Sequence, residues 1–250
     1  MEEIMKNNEE RYFIDKNMNN QICYMLLNID NSQSTRGHKH NNLKNVVQYL
    51  EKEIFNSELL YSTVLESVVS FNNKVDLVKP FGMVNKEQLN INQPDGMTSY
   101  YESLYRSSIY MLNQIKTAQS YSITAKGAFI FTITDGLPTD TDQFKNECLK
   151  VMEYAKKKGI IYIALALEDG NSENCDINLL KSEHDYVFRA TNSDGVRNFF
   201  EKVVLKSISI VSQSVSGSQY NVPGTSIVEK AEIEIIDDSK LLNDEGFMEC

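Results

Sequence analysis

The amino-acid sequence predicts an α/β protein built on a doubly wound, mostly parallel β-sheet, with one antiparallel edge strand and flanking helices. Apolar runs that suit buried strands alternate with stretches whose apolar residues recur at helical spacing. The strand-like runs are close to continuous, as in parallel strands that are covered on both faces. Two of them, residues 61–71 and 74–81, are separated only by Asn72-Asn73, which is typical of a hairpin and therefore predicts one antiparallel strand.

The first half of the chain opens on a buried strand at residues 22–29, with the sequence ICYMLLNI. A helix is predicted next, because one face would carry Leu43, Val46, Val47, Leu50 and Ile54. The hairpin follows, and after Thr98 a second amphipathic helix would bury Tyr101, Leu104, Ser108, Met111 and Ile115.

The second half continues the same alternation. Residues 128–133 and 160–167 predict two more buried strands. The helix between them has its N-cap candidates in Thr139, Asp140 and Thr141, and its apolar face in Phe144, Cys148, Met152 and Ala155. Gly159 ends that helix, residues 185–188 predict a last short strand, and a long final helix begins near Ser193.

Length and charge narrow the class of protein. A chain of 250 residues suits one large domain with extensions, which we place as a polar lead-in at 1–20, a domain at 21–216 and a linker with an acidic tail at 217–250. Within that tail, residues 231–236 could add an edge strand. With 25 basic and 35 acidic residues the net charge is -10, and such a surface repels phosphate backbones. We therefore expect no nucleic-acid partner.

The same sequence predicts a cytoplasmic protein without a membrane partner. Residues 1–20 contain no apolar stretch of the kind found in a secretory signal. The longest fully apolar run, residues 160–167, is too short to span a bilayer. The four cysteines are scattered and form no CxxC pair, so we expect reduced thiols rather than a disulfide framework.

Polar motifs with metal-binding chemistry follow the predicted strands. The first strand runs into a D-x-S-x-S string, a Thr precedes the second long helix, and the middle strand ends in Thr-Asp-Gly. In doubly wound sheets ligands bind at the carboxyl ends of the strands, near the point where strand order reverses. Carboxylates and hydroxyls there suit a hard cation such as Mg²⁺, which prefers six oxygen ligands. The predicted metal ligands are Asp30, Ser32, Ser34, Thr98 and Asp135.

Other interpretations of these residues remain open. Each motif alone is common in turns after strands, where Asp and Ser cap backbone N–H groups. His38 and His40 would suit zinc, but no third ligand has metal-site spacing nearby, and we expect them on a solvated helix start. The chain contains neither G-x-G-x-x-G nor G-x-x-x-x-G-K-[ST], so nucleotide binding lacks its usual sequence support.

Together the three motifs resemble the metal-ion-dependent adhesion site, or MIDAS, of the von Willebrand factor A (vWA) domain, a Rossmann-like fold. In that family D-x-S-x-S is followed by a distant Thr and a distant Asp, which Thr98 and Asp135 match here. The resemblance covers residues 22–212 and departs at Gln33 and Met97, where the family usually has Gly. The end of the domain, residues 189–212, is more specifically similar to intracellular bacterial vWA proteins, some of which accompany tellurium-resistance genes.

The resemblance implies a protein–protein interaction module and no enzymatic activity. A Mg²⁺ or Mn²⁺ ion on the five ligands would accept an Asp or Glu carboxylate from a partner protein. The alternative is a Mg²⁺-dependent phosphoryl-transfer enzyme with Asp30 as nucleophile, although such phosphatases carry a second Asp where this chain has Ser32. A third interpretation is a surface adhesin, against which the predicted compartment argues.

Overall fold

The computed structural model describes residues 21–84, 91–135, 138–168, 177–213 and 247–249. The predicted lead-in at 1–20, most of the predicted linker and tail, and the edge strand predicted at 231–236 lie outside these residues. So does most of the polar loop after residue 168.

The described residues form a seven-stranded sheet in the order β3-β2-β1-β4-β5-β6-β7. The strands are β1 (Gln21–Asp30), β2 (Val64–Phe71), β3 (Val75–Gly82), β4 (Thr124–Thr134), β5 (Ile160–Leu167), β6 (Tyr186–Ala190) and β7 (Phe247–Glu249). Strands β2, β1, β4, β5 and β6 are parallel, and β3 pairs antiparallel to β2 as the hairpin predicted. The doubly wound, mostly parallel fold with an antiparallel edge strand is therefore confirmed. At the opposite edge, the short β7 adds a second antiparallel strand on β6.

Helices cover both faces of the sheet. They are α1 (His38–Asn56), α2 (Glu58–Thr63), α3 (Tyr100–Ser120), α4 (Asp142–Lys157), α5 (Ile177–Glu183), α6 (Ser193–Asn198) and α7 (Lys206–Gln213). A π-helical segment, Phe199–Leu205, joins α6 to α7, so the predicted long final helix is continuous but changes its winding. No helix of the described residues is long and apolar enough to cross a membrane.

Alternation along each buried strand divides the core into two layers, because successive side chains of a strand point to opposite faces. On β1 the layer beneath α1 and the final helix receives Cys23, Met25, Leu27 and Ile29. The layer beneath α3 and α4 receives Ile22, Tyr24 and Leu26. Asn28 and Asp30 continue this second series, so the polar end of β1 lies on the α3 side.

One predicted boundary is wrong. Residues 61–63 were expected to begin a strand but form the end of α2. The Ser57 hydroxyl accepts a hydrogen bond from Leu60 N at 3.4 Å and caps this helix at its start. The cap and the helical turn it begins therefore outweigh the strand propensity of the Tyr-Ser-Thr-Val sequence.

A buried charged cluster, formed by Glu51, Glu66 and Lys79, links α1 to the β2–β3 hairpin. The Lys79 ammonium donates to Glu51 Oε1 at 3.0 Å and contacts Glu66 Oε2. Burial raises the pKa of Glu66 to about 7; Lys79 opposes that shift, and Glu51 adds to it. We refer to these residues as the closed cluster.

The topology determines where a functional site can form. Strands β1 and β4 are parallel neighbours, with Ile29 opposite Ile133, and the order of strands reverses between them. Their carboxyl ends therefore meet at the switch point, where open α/β sheets bind ligands.

Candidate metal centre

Asp30 is the last residue of β1 and is only 1% exposed. Its Oδ1 accepts from the Ser32 backbone N–H at 2.9 Å, and its Oδ2 accepts from the Thr134 hydroxyl at 2.6 Å. Burial raises the pKa of Asp30 to about 6; the hydrogen bonds from Thr134 and Ser32 oppose that shift, and the charge of Asp135 adds to it. The carboxylate is thus held rigidly in a place where its charge is poorly solvated.

Ser32 and Ser34 bring two hydroxyls to the same point. A short 3₁₀ turn, Gln33–Thr35, follows β1, and the Thr35 hydroxyl donates to Ser32 O at 2.8 Å. The Ser32 and Ser34 hydroxyl oxygens lie 3.0 Å apart. Ser32 is buried and Ser34 is exposed, so the hydroxyl pair extends from Asp30 towards the surface.

Asp135 follows β4 and completes this group. Its Oδ1 accepts from the Ser34 hydroxyl at 2.7 Å, and its Oδ2 lies 2.7 Å from the ammonium nitrogen of Lys39. The side chain of Asp135 is 1% exposed and that of Lys39 is 18% exposed. Sequence analysis missed Lys39. Its position in the first turn of the predicted helix could have indicated it, because helical side chains lean towards the helix N-terminus.

Thr98 lies on a neighbouring loop and is buried. Its backbone N–H donates to Thr139 Oγ1 at 3.1 Å, and its carbonyl accepts from Thr139 N and Thr139 Oγ1, both at 3.0 Å. Asp140 accepts from the backbone N–H groups of Tyr101 and Glu102 at 3.0 and 3.2 Å. The loop after β4, which begins with Asp135, therefore also holds the start of α3.

These contacts correct two predicted caps. Thr139 and Asp140 were candidates for capping the helix after them, but only Thr141 of the three does so, accepting from Phe144 N at 3.4 Å. Asp140 instead caps α3, which precedes it in the chain. Only the tertiary fold places the end of β4 beside that helix.

The D-x-S-x-S loop and the Thr98 loop are joined through their backbones. Gln33 N donates to Gly96 O at 3.1 Å, and Asp95 N donates to Asn31 O at 3.0 Å. Gly96 has a φ of +76°, and a Cβ there would come within 2.5 Å of the Asn73 side chain. The positive φ therefore favours glycine at position 96.

The two departures from the vWA pattern do not disturb this arrangement. Met97 is 60% exposed and is absent from the residues with positive φ, so its backbone does not need glycine. Gln33 is exposed as well. Both side chains lie outside the buried part of the site.

The structure brings Ser32, Ser34 and Asp135 into direct contact and ties Asp30 to them through the Ser32 backbone. Thr98 is linked to this group through the Gln33–Gly96 hydrogen bond. Within the described residues, no group of three or more His, Cys, Asp or Glu side chains could hold a metal. A cation at this edge would therefore depend on hydroxyl ligands beside the two carboxylates. We call the four grouped residues and Thr98 the candidate metal centre.

The expectation for His40 was wrong. It is 6% exposed rather than solvated, and burial, with a smaller effect from Lys44, lowers its pKa. His40 lies in the first turn of α1.

No protein-family model and no curated protein matches the sequence. Solved structures match its fold. The vWF domain of the type V pili tip protein Mfa5 from Porphyromonas gingivalis has a TM-score of 0.60 at 12% identity, covering 79% of this chain and 98% of that one. The pilus adhesin SpaC from Lactobacillus rhamnosus GG has a TM-score of 0.59 at 15% identity, covering 77% of this chain but 30% of that one.

Proximal thread matrix protein 1 from the mussel byssus, with a zinc-occupied MIDAS motif, has a TM-score of 0.53 at 16% identity. That match covers 75% of this chain and 48% of the mussel protein, so this chain spans only part of SpaC and of the mussel protein. At these identities the likeness establishes the fold. The chain has the fold of the von Willebrand factor A domain.

Proposed function

We propose that this protein binds a partner protein through a divalent cation held by Asp30, Ser32, Ser34, Thr98 and Asp135. The observation that carries the proposal is the convergence of two buried carboxylates and two touching hydroxyls at the sheet's switch point. The vWA fold, whose solved examples include a pilus adhesin and a protein with a zinc-occupied MIDAS, supports an interaction module.

The donor set fits a hard divalent cation. Burial raises the pKa of Asp30 to about 6, and the like charge of Asp135 adds a smaller contribution. A divalent cation offsets both charges, and neutral hydroxyls complete an all-oxygen ligand set. This chemistry favours Mg²⁺ or Mn²⁺, and the zinc in the mussel protein adds Zn²⁺ as a third ion to test.

The bound ion would supply an electrophilic position for an acidic side chain of the partner. Ser34 is exposed beside it, and Met97 offers exposed apolar surface on the adjoining loop. The partner would therefore present an Asp or Glu next to an apolar residue. The chain's own residues hold the ion and shape the contact with the partner, and none of them acts as a nucleophile.

The contacts of Asp30 favour binding over catalysis. Both of its oxygens accept hydrogen bonds, and the residue is 1% exposed, so it is poorly placed to attack a phosphate. Mg²⁺-dependent release of phosphate from an aryl phosphate, abolished in Asp30→Asn, would support the phosphatase alternative instead.

Calorimetric titration with Mg²⁺, Mn²⁺ and Zn²⁺ tests the proposal directly. Wild type should bind at least one of these ions, and Asp30→Ala should not. Asp95→Ala is the matched control, because Asp95 is a 76% exposed carboxylate on the adjoining loop, and it should bind as wild type does. Equal, negligible binding by wild type and Asp30→Ala would exclude a metal-dependent module.

The compartment is part of the same proposal. Cys23 and Cys148 are free, buried thiols, as expected for a cytoplasmic protein, and the net charge of -10 disfavours nucleic acid. Fractionation of the native host should recover the protein with cytoplasmic markers. Recovery in the secreted or surface fraction would favour the adhesin interpretation. Pull-downs with and without EDTA, made from the same fractions, would identify metal-dependent partners.

A further inference from the structure

Lys39 presents an ammonium group to the candidate metal centre. Its Nζ lies 2.7 Å from Asp135 Oδ2, while the other oxygen of Asp135 accepts from Ser34. Asp135 is thereby shared between a neutral hydroxyl on one side and a full positive charge on the other. The formal charges of the two carboxylates and the lysine sum to -1.

The position of Lys39 follows from the local fold. The chain turns at Gly37 and enters α1 at His38, which places Lys39 in the first helical turn. Side chains there lean towards the helix N-terminus, and this N-terminus faces the end of β4. The side chain is 18% exposed, so its four-carbon stem is packed while a route to solvent remains open.

A divalent cation and the Lys39 ammonium would have to share Asp135. An ammonium in contact with Oδ2 occupies one of the acceptor sites of that oxygen and places a like charge next to the ion. Unlike a metal, the ammonium is attached to the chain, so it is present at a fixed and high local concentration. A cation ligated by Asp135 would therefore bind more tightly once Lys39 has moved away.

We infer that Lys39 is an internal competitor of the metal, so that the centre alternates between an ammonium-filled and a metal-filled state. The inference rests on the proposed function, since it describes how that same site is regulated. It means that Lys39 compensates the charge of Asp135 in the free protein and that the ion must displace Lys39.

The test is calorimetric titration with Mn²⁺ and Mg²⁺ of wild type, Lys39→Met and Lys39→Arg. Lys39→Met keeps a packed stem without charge and should bind the ion at least about tenfold more tightly than wild type. Lys39→Arg keeps the charge and gains a planar fork for Asp135, so its affinity should equal that of wild type or be weaker. Lys44→Met removes the same charge from the same helix and should change affinity by less than about twofold.

A second measurement does not depend on calorimetric heat. The ion-induced rise in melting temperature, relative to the same chain in EDTA, should be larger for Lys39→Met than for wild type, because tighter binding to the native state stabilises it more. Lys39→Gln serves as a second uncharged variant, and circular dichroism checks that each variant is folded.

Three outcomes decide between the proposals. Tighter binding by both Lys39→Met and Lys39→Gln than by wild type supports the competition. Equal or weaker binding by the two uncharged variants overturns the competition and leaves the proposed function intact. Absence of binding by every chain, including Lys39→Met, overturns both.

Discussion

Two regions of this molecule contain the same charged groups, two buried carboxylates and one lysine, in different surroundings. In the closed cluster, Lys79 contacts Glu51 and Glu66 beneath α1, and its side chain is 11% exposed. In the candidate metal centre, Lys39 contacts Asp135, with Asp30 nearby, at an edge where Ser34 is exposed.

The difference between them lies in the groups that surround the charges. The closed cluster has an acceptor, Glu66 Oε1, without a hydrogen-bond partner among the described residues, and its lysine contacts both carboxylates. The candidate metal centre surrounds its carboxylates with hydroxyl and backbone donors that remain when the lysine leaves. The first arrangement depends on its lysine, whereas the second is the one that we propose exchanges its lysine for another cation.

The largest expected effect comes from breaking the closed cluster. Lys79→Met leaves two carboxylates buried without a cation and should lower the free energy of unfolding by about 3–5 kcal/mol. Urea denaturation followed by circular dichroism measures the loss. The double variant Lys79→Met/Glu66→Leu removes the most buried charge as well and should recover much of it. A loss below about 1 kcal/mol in the single variant would mean that the two carboxylates do not depend on Lys79.

The second-largest effect is expected in the pH dependence of the free energy of unfolding, through the proton bound by Glu66. Its pKa is raised from 4.5 to about 7, so the folded state holds a proton that the unfolded state releases. The stability linked to this proton is fully present below pH 4.5 and is lost as the pH rises through about 7. The free energy of unfolding of wild type should therefore fall relative to that of Glu66→Gln. The expected slope is about 1.4 kcal/mol per pH unit between pH 4.5 and about 7.

Comparison of wild type with Glu66→Gln isolates the contribution of the Glu66 carboxyl to the pH dependence. Asp30, His40, Glu183 and His184 also have shifted pKa values, and all four are present in both chains. The pKa of Lys79 is raised from 10.5, so its contribution is lost only at higher pH. Parallel stability curves for the two chains would show that Glu66 is ionised in both states and would contradict the prediction.

Removal of Lys39 should cost less than removal of Lys79. In EDTA, Lys39→Met should lower the free energy of unfolding by about 1–3 kcal/mol, because Lys39 contacts one buried carboxylate rather than two and Ser34 still donates to Asp135. Saturation with the bound ion should remove the deficit, whereas no added ion should restore Lys79→Met. Equal losses in the two variants would remove the contrast between the two regions.

The smallest effect is expected on the solvated face of α4. Glu153 and Lys157 form an ion pair at 2.6 Å whose side chains are 68% and 70% exposed. Water screens such a pair, so Glu153→Gln should leave the urea midpoint unchanged within error. A measurable loss there would mean that water does not screen this exposed pair.

Much of the fold could be predicted from local patterns. Buried strands, amphipathic helices and the Asn72-Asn73 turn each carry their signal within a short stretch of sequence, and the observed strand order agrees with them. The residues of the candidate metal centre were found in the same way, because strand ends in a parallel sheet share one edge. The short helix α2 was missed, since its Ser57 cap competes with a sequence that also suits a strand.

The sequence by itself determined the fold class and the proposed ligands, because periodicity and strand-end motifs are local properties. Only the tertiary structure decided which charges meet. Lys39 and Asp135 are 96 positions apart, Lys79 reaches Glu51 across 28, and Asp140 caps a helix 38 residues before it. Such contacts depend on how helices pack over the sheet and on how long side chains extend between them. No pattern within either segment predicts them.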